Sequence, residues 1–287
     1  MADAQAIIRQ IQIAKRFGAA RKPRKIAARP RYPYVLERTY QRQLREYINV
    51  YIKVVKKVLI SRLPELVKEA NSLRPDGMHT DNWVSDLAEL INAITFTFGP
   101  QEEKIKTSIK VMSEKVNDFN KEDIDRTFRS VLGVNIFTQE PWLRDQLDSF
   151  IAQNEYIIKG TTQKATNEIR TIAQQGLANG DTAQVIGDKI KNQFGITQRR
   201  AELIARDQVA SFNGTLTKLR QTAIGVKQYI WRTSLDERVR PSHEAREGNT
   251  YDWDYVFTED KIDGPPGTPI LCRCVAEPVL DDILEAI

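Results

Sequence analysis

Apolar residues recur at intervals of three and four through most of this chain, which is the spacing of one face of an α-helix. The first long stripe of this kind runs through Ile48, Tyr51, Ile52, Val55, Val58 and Leu59. Comparable stripes follow along the chain: Trp83, Leu87, Leu90, Ile91 and Ile94; Ile105, Ile109, Met112 and Val116; Ile124, Phe128, Val131 and Leu132; Leu143, Leu147, Phe150, Ile151 and Ile158; and Val185, Ile186, Ile190 and Phe194. We therefore predict a chain that is mainly α-helical.

The pattern changes after Gly225. Residues 226–231 form a short aromatic and β-branched run, which is typical of a strand. Turn-forming residues are frequent from there to the end. The predicted fold class is mainly α, with a helical body, a small C-terminal α+β module and a basic extended N-terminal arm.

Polar residues and glycines between the stripes predict where helices begin and end. Asn120, with Asp123 three residues later, has the pattern of a helix start. It therefore predicts that the stripe from Ile105 to Val116 and the stripe from Ile124 to Leu132 belong to two separate helices. Asp181 or Thr182 is predicted to open a helix that Gly195 ends, with another helix following it.

Length and composition favour one large domain or two modest ones. The 287 residues can bury a sizeable core, and the fractions of 41% hydrophobic and 28% charged residues are ordinary for a soluble protein. No apolar run approaches the ~20 residues that cross a bilayer, and no secretory signal is recognisable. We divide the chain into a flexible basic arm (1–33), a helical region (34–140), long helices leading into the C-terminal domain (141–225) and the small α+β module (226–287).

Positive charge is concentrated near the N-terminus. Residues 1–47 contain twelve Lys or Arg and three acidic residues, a net charge of +9. Because the whole chain carries +5, residues 48–287 carry −4. Cations interleaved with prolines and tyrosines suit binding to DNA without sequence preference, with strong salt dependence, or to an acidic protein surface. The candidate DNA-binding residues are Arg21, Lys22, Arg24, Lys25, Arg29 and Arg31.

The C-terminal module contains a possible zinc-ligand set. Asp236, His243, Cys272 and Cys274 would supply a carboxylate, an imidazole and two thiolates for a tetrahedral ion. The final strand can return beside the strand at 226–231, which would bring the thiols near His243. C-x-C is an uncommon zinc spacing, so the alternative is two small buried cysteines and a structural histidine. A disulfide framework is not expected, because two cysteines this close enclose a very small ring.

A catalytic interpretation is the second alternative for the same region. Asp236, Arg238 and His243 offer an acid, a phosphate clamp and a base for a metal-dependent nuclease or nucleotide-transfer enzyme. The chain contains no P-loop and no H-E-x-x-H motif. We favour a charged turn held by hydrogen bonds, and therefore a protein that is not an enzyme. A non-specific DNA-binding accessory protein is the third alternative, which the charge of −4 outside the arm argues against.

Several motifs follow one another in the second half of the chain: R-A-x-x-I-A-R, a strand ending in W-x-T, D-x-R-V-R followed by a histidine, and a Pro-Gly turn before C-R-C. In this order they resemble the C-terminal domain of the phage Mu F-like family of head morphogenesis, or minor head, proteins. Three positions depart from the family pattern, which commonly has Thr-Glu where this chain has Asp207-Gln208 and Asn where it has Leu271. The matching positions are Arg200, Ala201, Ala205, Arg206, Trp231, Thr233, Asp236, Arg238, Arg240, His243, Gly248, Pro266, Gly267, Cys272, Arg273 and Cys274.

The resemblance implies a virion protein of a tailed double-stranded DNA phage, assembled in the host cytoplasm and present in few copies. It implies a place at the portal or the inner capsid, with the portal protein, the major capsid protein or a scaffolding protein as partners. Contact with packaged DNA, during genome packaging or ejection, is a further expectation.

Overall fold

The computed structural model describes residues 29–72, 82–132, 140–259 and 263–281, together with positions 9, 12, 13 and 16. Most of these residues are helical, so the predicted helical body is confirmed, while most of the predicted extended arm at 1–33 lies outside the described residues. In the described ranges, no helix is both long and apolar enough to cross a membrane. The helices are α1 (Tyr34–Val58), α2 (Leu63–Ala70), α3 (Asn82–Phe98), α4 (Pro100–Leu132), α5 (Leu143–Ala178), α6 (Ala183–Ala223) and α7 (Pro241–Glu244), with a 3-10 turn at Ile60–Arg62.

The strands form a small antiparallel sheet. Among the described residues they are β1 (Gln228–Arg232), β2 (Thr250–Asp252) and β3 (Val275–Pro278), in the order β2-β1-β3. Tyr229 pairs with Tyr251 on one side of β1, and Trp231 pairs with Ala276 on the other. The predicted strand at 226–231 is therefore confirmed, and the final strand returns beside it.

The chain forms two compact units that do not follow its linear order. The first unit comprises Met1–Arg38, Val111–Phe150 and Arg206–Ile287, and the second comprises Thr39–Lys110 and Ile151–Ala205. Each unit is therefore assembled from separate stretches, whereas the sequence suggested consecutive regions. The C-terminal module at 226–287 is part of the larger first unit.

The core of the second unit is built from the predicted helical stripes. Val55 of α1 and Leu87, Ile91 and Ile94 of α3 are almost completely buried. The Tyr51 hydroxyl lies 2.8 Å from Oγ1 of Thr166, so this buried tyrosine retains a polar partner. Within this unit the apolar stripe of α3 therefore forms core.

The predicted helix break at Asn120 is wrong, because α4 continues through it. Nδ2 of Asn120 donates hydrogen bonds to Oγ1 of Thr217 (2.7 Å) and Oδ1 of Asn213 (3.0 Å), both on α6. Asp123 accepts a hydrogen bond from Nε of Arg31 at 2.7 Å. The polar side chains that resemble a helix start are buried and form tertiary hydrogen bonds in the first unit.

The predicted end at Gly195 is also wrong. α6 runs through this glycine, and a Cβ built there would meet no atom within 4 Å. The predicted start near Thr182 is confirmed, because its Oγ1 accepts a hydrogen bond from the backbone N–H of Val185 at 3.4 Å. A glycine in a helix interior costs stability without necessarily ending the helix.

Gly214 of α6 and Gly267 allow two backbones to approach closely in the first unit. A Cβ on Gly214 would lie 2.5 Å from the carbonyl oxygen of Pro266, and one on Gly267 would lie 2.7 Å from that of Ala210. Gly267 also has a φ of +89°, a left-handed conformation that other residues rarely adopt. The Pro-Gly turn of the C-terminal module thus packs directly against α6.

This contact predicts opposite effects for two substitutions on the same helix. Gly214→Ala forces Cβ against the Pro266 carbonyl and should lower the free energy of unfolding by about 2 kcal/mol or more. Gly195→Ala meets open space and should raise it by about 0.5–1 kcal/mol, because alanine is the better helix former. Denaturant titration of both variants checks this, and equal effects would contradict the close approach.

Candidate functional site

The C-terminal module has an aromatic core on one side of β1. Tyr229 and Trp231 alternate with less buried neighbours along this strand and are fully buried. Since successive side chains of a strand point to opposite faces, both belong to the same face. The buried residues of this core are Tyr229, Trp231, Trp253, Phe257, Cys272, Cys274 and Ala276.

Three of the predicted metal ligands meet at this core. Sγ of Cys272 lies 3.6 Å from Nδ1 of His243, and Sγ of Cys274 lies 3.7 Å from the same nitrogen. Pro241 begins the short helix α7 that presents His243, whose ring packs edge-on to Trp231 with centroids 5.1 Å apart. All three ligand side chains are buried, and their donor atoms lie within 4.8 Å of one another.

The pKa values of the two thiols are shifted in opposite directions. The hydrogen bond from Cys274 holds the pKa of Cys272 well below its usual range against the effect of burial, with support from His243 and the Gly267 backbone. The pKa of Cys274 is raised by its hydrogen bond with Cys272 and by burial. Of the two thiols, Cys272 is therefore the more readily deprotonated.

Asp236, the fourth candidate ligand, lies outside this cluster. Its Oδ1 accepts a hydrogen bond from the backbone N–H of Arg238 at 3.1 Å, an arrangement that stabilises the turn after β1. Its Oδ2 lies 3.7 Å from a guanidinium nitrogen of Arg273. The Asp236 carboxylate therefore stabilises the turn after β1 and forms an ion pair with Arg273.

The arginine of C-R-C binds the first turn of α1. Nε of Arg273 donates a hydrogen bond to Oε2 of Glu37 at 2.9 Å, and a second guanidinium nitrogen bonds to the other carboxylate oxygen. Tyr32 donates its hydroxyl hydrogen to the same carboxylate at 2.8 Å, and the Tyr34 ring lies 5.6 Å from the guanidinium. Glu37 is 1% exposed, so this is a buried ion pair, and it raises the pKa of Arg273.

Two other signature arginines hold the backbone before C-R-C. Arg206 of α6 donates a hydrogen bond to the carbonyl of Leu271 at 2.7 Å, and Arg240 donates to that of Ile270 at 2.6 Å. Asp207 accepts from the backbone N–H of Leu271 at 2.8 Å. Both backbone polar groups of Leu271 are thus held from α6.

Thr233 and Gly248 hold the segment around α7. Thr233 donates its backbone N–H (2.6 Å) and its hydroxyl hydrogen (2.8 Å) to Oε2 of Glu247. Burial raises the pKa of Glu247, but these bonds, Arg29 and Arg232 together lower it. Gly248, with a φ of +81°, donates its N–H to the Trp231 carbonyl at 2.9 Å.

The remaining signature positions are simpler. Ala201 and Ala205 are buried on α6, where small side chains fit close packing, while Arg200 is exposed. Arg238 is exposed in the turn after β1. Pro266 supplies the carbonyl that contacts Gly214, as described above.

Sequence reasoning missed Arg246. Its buried guanidinium lies 4.2 Å from the Phe257 ring centroid and 4.9 Å from that of Trp231. It also donates hydrogen bonds to Asp263 (2.6 and 2.9 Å) and Glu259 (2.6 Å). The sequence offered only an arginine in a polar stretch, and no local pattern indicates that it would be buried.

Two of the candidate DNA-binding residues contact acidic side chains. Arg31 pairs with Asp123, and a guanidinium nitrogen of Arg29 lies 3.6 Å from Oε1 of Glu247. The other candidates, Arg21, Lys22, Arg24 and Lys25, lie outside the described residues. Arg29 and Arg31 therefore have partners within the first unit.

The buried Arg273–Glu37 pair predicts a non-additive response to mutation. Arg273→Met leaves the Glu37 carboxylate buried without its cation and should cost about 3–5 kcal/mol of stability. Adding Glu37→Gln removes that charge, while Tyr32 can still donate to the amide oxygen, so the double variant should recover part of the loss. Urea unfolding of the single and double variants measures the coupling, with exposed Arg238→Ala as the control. An additive double variant would contradict a coupled pair.

Comparison with known proteins agrees with the motif order. A family model described as "Phage Mu protein F like protein" matches residues 167–277. The chain is also 30% identical over 166 residues to an uncharacterized protein of Haemophilus influenzae, a match that covers 57% of this chain and 36% of that protein. The chain thus spans about a third of the length of this curated relative. No solved structure matches it. Residues 167–277, less than half of the chain, are therefore similar to the Phage Mu protein F-like family.

Proposed function

We propose that this chain is a minor head, or head morphogenesis, protein of a tailed double-stranded DNA phage. The observation that carries the proposal is the family match over residues 167–277, which includes the whole sheet except the end of β3. Its place is the virion, at the portal or the inner capsid, with the portal protein and the major capsid or scaffolding protein as partners.

The contacts of the signature residues support a structural role. Arg206 and Arg240 bind backbone carbonyls, Thr233 binds Glu247, and Arg273 binds Glu37. Each of these bonds stabilises the first unit. These residues of the family motif therefore stabilise the fold of the first unit, which fits a protein whose role is to assemble with other head proteins.

A nuclease that acts through His243 and Asp236 needs both side chains in one open cleft. Instead, His243 is 2% exposed and faces two thiols, while Asp236 faces Arg273 and the turn backbone. A general base must reach the proton that it abstracts. This arrangement supports the non-enzymatic proposal over the nuclease one.

We also propose contact with packaged DNA. We assign this contact to residues 21–25, which are only part of the basic arm (1–33). Arg31 is bound to Asp123, and Tyr32 is 8% exposed, so residues 29–33 belong to the first unit. The basic run from Arg21 to Lys25 is the part assigned to phosphate contacts. Each contact releases condensed counterions and so makes binding salt-dependent.

Neutralising this run should weaken DNA binding without affecting the fold. Replacing Arg21, Lys22, Arg24 and Lys25 together by alanine should reduce affinity for random-sequence duplex DNA and lower the slope of log affinity against log salt by up to about four. Fluorescence anisotropy at several salt concentrations measures both quantities.

The matched control is Arg31→Ala, which also removes a cation but one that pairs with Asp123. It should lower thermal stability and leave the salt slope unchanged. Equal loss of affinity in this variant, or intact binding by the fourfold variant, would refute the assignment of DNA contact to residues 21–25.

The structural role predicts where the chain is found in particles. When particles of a phage that encodes this chain are separated on a density gradient, the head fractions should contain the chain. The chain should be protected from added protease until the DNA is released. Deleting the coding region should yield defective heads. Expression of the Gly195→Ala variant should restore normal heads, because a Cβ at this position meets open space. Normal infectious heads without the chain would overturn the proposed function.

A further inference from the structure

The cluster of His243, Cys272 and Cys274 is assembled by elements far apart in sequence. His243 lies on α7, whereas the two cysteines immediately precede β3. Antiparallel pairing of β3 with β1 brings them to the same aromatic core, next to Trp231. The placement of all three therefore depends on the fold rather than on local sequence.

The distance from each sulfur to the imidazole nitrogen fits ligands of one tetrahedral ion. Zinc holds a thiolate sulfur at about 2.3 Å and an imidazole nitrogen at about 2.0–2.1 Å, so two such ligands are about 3.5–3.6 Å apart. The two sulfur–nitrogen distances here are 3.6 and 3.7 Å. Both sulfurs also face the same nitrogen, Nδ1 of His243.

Ordinary hydrogen bonding explains this convergence less well. A neutral imidazole nitrogen either donates one hydrogen or accepts at one lone pair, so it serves one thiol well and not two. A metal ion between the three atoms satisfies all of them at once. The two thiolates and one divalent ion would also sum to zero charge, which suits a buried position beside Trp231.

The surrounding backbone supplies hydrogen bonds of the kind that orient metal-bound thiolates. The backbone N–H of Cys274 lies 3.4 Å from Sγ of Cys272, and the Gly267 backbone bonds to the same sulfur. Such outer contacts fix the direction of ligating atoms. Gly267 is held in place by its contact with α6, so the site is braced from two elements.

We propose that His243 Nδ1, Cys272 Sγ and Cys274 Sγ bind one thiophilic divalent ion of the zinc class. In the described part of the chain, the cluster offers these three His, Cys or acidic ligands, and the fourth position of a tetrahedral ion falls to a small exogenous ligand such as water. Because all three ligands are buried, the bound ion would stabilise the fold of the C-terminal module. The proposal is independent of the chain's role in the phage head.

The test uses the full chain, purified under reducing conditions without chelator, incubated with zinc sulfate and dialysed. Elemental analysis should find about one zinc per chain, and removal by phenanthroline should lower the melting temperature. Substitution of Co²⁺ should give thiolate-to-metal charge-transfer absorption together with strong d–d bands of four-coordinate cobalt.

Variants separate this site from other zinc-binding positions. Cys272→Ser and His243→Gln should lose the bound ion, while Asp236→Asn should keep about one per chain, since that carboxylate lies against Arg273. If the ligand variants fail to fold, the cobalt spectrum of the unmutated chain still decides. Folded protein with no bound zinc and no cobalt–thiolate absorption overturns the proposal, as does full zinc retention in Cys272→Ser.

Discussion

The buried guanidinium of Arg220 joins three separate stretches of the first unit through hydrogen bonds. It donates to both carboxylate oxygens of Glu140 (2.6 and 3.0 Å), to the side-chain and backbone oxygens of Asn117, and to Oδ1 of Asn120. These five bonds equal the number of N–H groups that an arginine carries. Because a buried charge is tolerated only when it is paired and hydrogen-bonded, α4, α6 and the chain before α5 must meet in one arrangement.

α6, once fixed in this way, becomes the support for the C-terminal module. Gly214 receives the Pro-Gly turn, and Arg206 with Asp207 holds both backbone groups of Leu271. Leu271 has a φ of +58°, which disfavours leucine but suits asparagine. The bonds from α6 hold the backbone of Leu271 in this conformation.

The same geometry connects the signature residues to the proposed function. Cys272 and Cys274 follow directly after the fixed Leu271, so the thiols reach His243 because the backbone before them is held. Arg273, between the two cysteines, points the other way and binds Glu37. Residues of one tripeptide thus contact both the core of the module and the first turn of α1.

The sequence by itself determined the helical content, the change to a strand after Gly225 and the order of the family motifs, because these depend on local periodicity and residue type. It did not distinguish a helix start at Asn120 from a buried hydrogen-bonding residue, since the same polar side chain serves either purpose. Only the tertiary structure decided that Arg220 is buried, because its partners lie 80 to 103 residues away in the chain. It likewise separated Asp236 from the Cys–His cluster and bound Arg31 to Asp123, since the pairing of charges follows from which elements pack together.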